Sequence, residues 1–129
     1  MTDPANNNDS RQIEAMMQAY IEGGRTGSVD TLRPIFHEFA TICGYVGPDL
    51  FVGEIEKFYE WHAGNGPAAD LVAGDIRIDV AGSAASVRVE LDNWTGHRFT
   101  DFFTLVKLDG RWQIMTRCFS CIQSEQHTR

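Results

Sequence analysis

Four side chains are the candidates for chemistry: Tyr20, His97, Asp101 and Arg117. Arg117 lies in the middle of an apolar strand pattern, RWQIMTRCFS. An unpaired guanidinium there would cost several kcal/mol or more. It therefore meets a ligand's carboxylate or polarised carbonyl, pairs with an acid from a helix, or snorkels to the rim. Tyr20 falls on an apolar helix stripe, as core with its hydroxyl tied to a neighbour or as a donor into a pocket. In simple strand register Glu90 lies across from Asp101, with His97 and Asp92 on the same side. Opposed carboxylates repel, which raises one pKa and is a route to a general acid. A solvated pair, or one bridged by Arg88 or Arg77, is the plainer account.

Other chemistries are absent from the pattern. Cys118 and Cys121 have the C-x-x-C spacing, but residues three apart on a regular strand point to opposite faces. No second pair completes a tetrahedral metal site. Without a glycine-rich phosphate loop, a serine elbow or a histidine pair, neither cofactor nor metal is expected. The net charge of −7 and the lack of a Lys/Arg run leave no basic footprint for nucleic acid or anionic membrane. The polar start, MTDPANNNDS, does not read as a signal peptide, and three sparse cysteines suit a reducing compartment, so a cytoplasmic location is expected.

These residues need elements to position them. Residues 1–8 read as a disordered lead-in, 9–122 as one domain and 123–129 as a tail. Asp9 with Gln12, or Ser10 alone, caps a first helix. Its stripe is Ile13, Met16, Met17, Tyr20 and Ile21, and Gly23-Gly24 stops it. A short second helix starts at Ser28 and reaches about His37, distorted by Pro34. After the β-rich Ala40–Val46, Glu54–His62 reads as a third helix with Phe58 inside. From residue 70 the period changes to two, giving strands over 70–80, 84–94, 97–108 and 111–122. Asp109-Gly110 is a strong hairpin signal. Helices followed by a meander make an α+β fold.

With two-residue turns, one sheet face collects Val87, Val89, Leu91, Asn93, Arg98, Thr100, Phe102, Thr104, Met115, Arg117 and Phe119. Taken as the inner face, it predicts a pocket lined by Tyr20, Phe58, Trp61, Asn93, Phe102, Thr104, Met115, Arg117 and Phe119. The other face carries an apolar patch, Phe103, Leu105, Trp112 and Ile114. Exposed patches of that kind mark partner surfaces, so a homodimer through this outer face is expected. A bulge in any strand exchanges the faces beyond it. In that case His97 and Asp101 become the leading acid–base candidates.

The order of elements resembles the nuclear transport factor 2-like superfamily, which includes ketosteroid isomerases, scytalone dehydratase and SnoaL-type polyketide cyclases. The stretch MMQAYIEGGRTGSVDTLRPIFHEFATICGYVG looks like the opening of such proteins, and GEIEKFYEW and LVKLDGRWQIMTRCFS match their third helix and last hairpin. The run VRVELDNWTGHRFTDFFTLVKLDG is closer to a bacterial subgroup named for lumazine binding. The resemblance implies a cone-shaped fold, three helices on a strongly curved antiparallel sheet. It places the isomerase's oxyanion tyrosine at Tyr20, its second oxyanion acid at or next to Thr104, and its general-base aspartate at Gly44. Glycine has no side chain to take a proton, so ketosteroid isomerase activity is not expected. Three functions stay open: a pocket binding a small apolar or heteroaromatic molecule, a cofactor-independent isomerase, dehydratase or cyclase, and a dimeric interaction module with a filled cavity.

Overall fold

The computed structural model describes the backbone over residues 4–123 and the side chains over residues 8–122. Helix α1 (Pro4–Thr26) is followed by a single turn α2 (Val29–Leu32) and a 3₁₀ turn, Arg33–Ile35. Strands β1 (Phe36–Val46) and β2 (Asp49–Glu54) lead into helix α3 (Ile55–Asn65). The meander comes last: β3 (Val72–Ala81), β4 (Ala84–Trp94), β5 (His97–Leu108) and β6 (Arg111–Gln123). The six strands form one sheet in the order β2-β1-β6-β5-β4-β3. Neighbours run antiparallel except β1 and β6, which are parallel because the chain crosses the sheet between them. The α+β architecture is thus the expected one.

Several boundaries differ, for local reasons. Of the expected lead-in, residues 1–3 lie outside the described residues and 4–8 are the first turns of α1. The tail beyond Gln123 also lies outside them. Gly23-Gly24 does not stop α1. A Cβ on Gly23 would sit 2.6 Å from Leu32, and one on Gly24 2.7 Å from Leu71, so both glycines permit close approach. The helix ends at Thr26, where Gly27 takes φ +76°. Ser28 caps α2 as expected, accepting from the Thr31 amide at 3.2 Å. Pro34 restricts the next residues to a 3₁₀ turn, and His37 lies in β1 instead of ending a helix.

The decisive departures are two bulges. Leu91 pairs with Phe99 but Trp94 pairs with His97, so β4 carries one extra residue around Asn93, whose φ is +63°. That reverses β5: Phe99, Asp101, Phe103 and Leu105 are buried, while Phe102 is 48% exposed and Thr104 faces solvent. Strand β6 begins in the reversed sense, with Trp112 and Ile114 buried. A second extra residue, Met115, falls between the Leu105–Ile114 and Thr104–Thr116 pairs. It reverses β6 again, so Arg117 and Phe119 return to the interior. The apolar patch expected to seat a second copy is therefore core. Phe103, Leu105, Trp112 and Ile114 are at most 4% exposed and offer no surface to a partner.

Asp9 anchors α1 to the sheet instead of capping it, because the helix already began at Pro4. Its Oδ1 accepts from Lys107 Nζ at 2.9 Å and from Trp112 Nε1 at 3.0 Å. These bonds, first that from Lys107, hold the Asp9 carboxyl below the usual carboxylate range. A depressed folded pKa stabilises fully above the unfolded value, about 3.9, and the contribution is lost as pH falls through the folded one. Asp9→Asn should lower the urea midpoint near neutral pH. Its deficit against wild type should shrink as both are titrated down through the carboxylate range.

Candidate functional site

The bulge in β4 turns Asp101 of β5 inward, and the bulge in β6 does the same for Arg117. The two meet beneath α1. Arg117 Nη2 donates to Asp101 Oδ1 at 3.0 Å, and Tyr20 Oη donates to Asp101 Oδ2 at 2.6 Å. Asp101 and Tyr20 are fully buried and Arg117 is 2% exposed. The guanidinium is also wrapped in rings. Its Cζ lies 4.7 Å from the Phe119 centroid, 4.8 Å from Phe58 and 5.2 Å from Phe99, with Tyr20 and Trp94 beyond. Ring faces are electronegative and stabilise a cation held close to them.

Protonation is set by these neighbours. Burial opposes the Arg117 cation, but the Asp101 carboxylate outweighs it and the pKa is raised. Burial, helped by Asp101 and opposed by Arg117, pushes the Tyr20 phenol well above its ordinary value. Tyr20 thus stays protonated and points its only proton at Asp101. The triad is a closed electrostatic unit. Its arginine edge alone reaches the cavity.

That cavity lies between β1, β2, α3 and the β5–β6 pair, lined by Ile42, Val46, Phe51, Phe58, Trp61, Phe99, Arg117 and Phe119. Its free volume is about 20 Å³, room for a water molecule. Arg117 is the one charged lining residue. Of the expected lining, Phe58, Trp61, Arg117 and Phe119 are present. Tyr20 lies one layer behind. Phe102, Thr104 and Met115 are not there, since the first bulge turned β5 over and Met115 is itself the extra residue of the second. Asn93 occupies the bulge in β4. His97 stays at the sheet's end, its Nδ1 3.3 Å from the Trp94 carbonyl and its ring against Phe99, apart from Asp101. Nor do Glu90 and Asp101 oppose one another: Asp101 pairs with Val89, and Glu90 accepts from Arg88 at 2.9 Å on the other face.

Gly44 explains the missing base. A Cβ built there would lie 2.5 Å from both the ring and the carbonyl oxygen of Phe119. The Phe119 ring occupies the space that a side chain at position 44 would need. His62 was not legible as a site residue, because position i+4 from Phe58 reads as plain helix stripe. It is fully buried, with Nε2 2.9 Å from the Gly23 carbonyl. Burial lowers its pKa, so the ring is neutral at physiological pH and Nε2 carries the proton donated to Gly23. His62 Nδ1, Trp94 Nε1 and Arg117 Nε have no hydrogen-bond partner among the described residues.

A curved six-stranded sheet closed over helices is the architecture of nuclear transport factor 2-like proteins. Residues 8–120 match the family described as "Putative lumazine-binding", and the chain belongs to that family. It is similar to an NTF2-like protein of unknown function from Methylobacillus flagellatus KT, at 38% identity over 89% of this chain and 93% of that one, with a TM-score of 0.84. A second NTF2-like protein of unknown function, from Shewanella baltica OS155, is 32% identical over 96% of this chain and all of its own (100%), with a TM-score of 0.86. Aldolase FrzH of Cladobotryum sp. is 28% identical over 108 residues, 83% of this chain and 86% of that protein. No helix among the described residues is long and apolar enough to cross a membrane.

The triad and the filled position at Gly44 can each be tested by substitution. Asp101→Leu strands a buried cation and should lower unfolding free energy by about 3–5 kcal/mol in urea titrations. Adding Arg117→Met should recover much of that loss, and a double variant no better than Asp101→Leu would contradict the pairing. Gly44→Ala should cost about 1–3 kcal/mol by overpacking against Phe119, read from the urea midpoint.

Proposed function

We propose that this chain binds a small, flat heteroaromatic molecule in the cavity between β1, β2 and α3, with Arg117 donating to one of its carbonyl or carboxylate oxygens. One observation carries this reading: a buried, paired guanidinium opens onto a space otherwise walled by apolar side chains, five of them Phe or Trp. Such walls stack on a planar ring, and a fixed fork of N–H donors selects its polar edge. The family's name points to the same ligand class. The free volume is smaller than a ring compound, so binding draws on a state in which the half-buried Phe51 and Trp61 swing outward.

Acid–base catalysis receives less support. Proton transfer needs a group of suitable pKa within hydrogen-bond reach of the substrate. Arg117 is held protonated, and Tyr20 and Asp101 face each other behind it. The small volume favours a different second reading, an interaction module whose cavity is filled by its own rings. In that reading the chain pairs with a second copy through solvent-facing residues, not through the four core residues.

Lumazine itself, a flat pteridinedione, is the probe. Tryptophan fluorescence should be quenched saturably as lumazine is added, through Trp61 at the cavity. Arg117→Lys keeps a charge for Asp101 but loses the planar fork, and should weaken binding about tenfold or more. Native mass spectrometry of the purified protein checks for a retained small molecule. Unsaturable quenching together with a bare protein mass would sink the binding reading and leave the filled module.

A further inference from the structure

The C-x-x-C spacing of Cys118 and Cys121 hides a different pair. Cys121 turns inward and packs against the core, whereas Cys118 is exposed on the opposite face. The neighbour of Cys118 is Cys43, 75 residues earlier in sequence, directly opposite it in the parallel β1–β6 register. The flanking pairs, Ile42 with Arg117 and Gly44 with Phe119, are buried, so both cysteines project from the outer face. Adjacent strands lie about 4.7–4.9 Å apart, inside the Cα separation of about 4.4–6.8 Å that a disulfide spans. The two thiols are near enough to perturb one another's ionisation. Cys43 is half-buried beside its exposed partner.

We propose that Cys43 and Cys118 form a redox-active dithiol, which closes to an intramolecular disulfide by exchange with low-molecular-weight disulfides such as oxidised glutathione. The exposed Cys118 thiolate attacks one sulfur of the small disulfide, breaking its S–S bond and releasing one small thiol. The Cys43 sulfur then gives up its proton and attacks Cys118 Sγ, and the second small thiol leaves. Two protein thiols are oxidised, one small disulfide is reduced, and two small thiols are formed. Burial, then the neighbouring Cys118 thiol, raises the Cys43 pKa, so the second step speeds up as pH rises. Side chains paired across parallel strands stand about a strand spacing apart, wider than the ~3.8 Å between Cβ atoms in a relaxed disulfide. The closed form is therefore easily reduced again, as labile disulfides are. Ile42, Arg117 and Phe119 wall the cavity on the other side of the same two strands, so the new bond crosses the back of that wall.

The test equilibrates the folded full-length protein across glutathione buffers from fully reduced to fully oxidised. Free thiols are then alkylated, and intact mass and peptide maps are read. Two of the three thiols should become protected, with the loss of two hydrogen masses and one linked peptide joining Cys43 to Cys118. Dithiothreitol should reverse it. Cys121→Ser should titrate as wild type, and Cys43→Ser should stop at a glutathione adduct on Cys118. A lasting adduct on Cys118 in the wild type overturns the proposal. So does a linkage through Cys121 or to a second chain, and so do thiols that stay reduced across the whole series.

Discussion

The structure is organised around one buried charge. Arg117 is held away from water by five aromatic rings and neutralised by Asp101, which Tyr20 then completes from the helix layer. Each partner is tolerable only in the presence of the others, since an isolated buried ion is far costlier than a paired and hydrogen-bonded one. The triad also joins α1 to the β5–β6 hairpin, across 81 residues of sequence between Tyr20 and Asp101.

The aromatic shell and the triad divide the labour of the site. Phe58, Phe99 and Phe119 shape the space and give it apolar walls, and low polarity strengthens the electrostatic contacts inside. Arg117 supplies the one charge that a bound molecule would meet. Tyr20 and Asp101 hold that charge in place and have no free proton chemistry to offer. Phe119 does a further thing: by packing on the Gly44 backbone it excludes a side chain at that position. An aromatic ring fills the place where the same framework could have carried a base.

The two faces of the β1–β6 pair behave differently because their residues alternate. Inward, Ile42, Arg117 and Phe119 make the cavity wall. Outward, Cys43 and Cys118 meet across the same ladder. The parallel register that creates this meeting is a tertiary event, brought about by the chain's crossover between β1 and β6. Local spacing excluded Cys121 as a partner for Cys118 and gave no sign of Cys43.

Composition and periodicity determined the α+β class, the helix stripe with Tyr20, and the tight turns between the last strands. These are local or statistical properties: a period of 3.6 or 2, and a turn residue with positive φ. What tertiary structure alone decided was the side of the sheet on which Phe103, Trp112, Asp101 and Phe102 lie. A single extra residue at Asn93 and another at Met115 exchange the faces. Each bulge is chosen by how whole strands pack against the helices, and neither leaves a distinctive mark in the residues around it. Arg117 came out on the expected side only because the two reversals cancel, whereas Asp101, lying between them, did not.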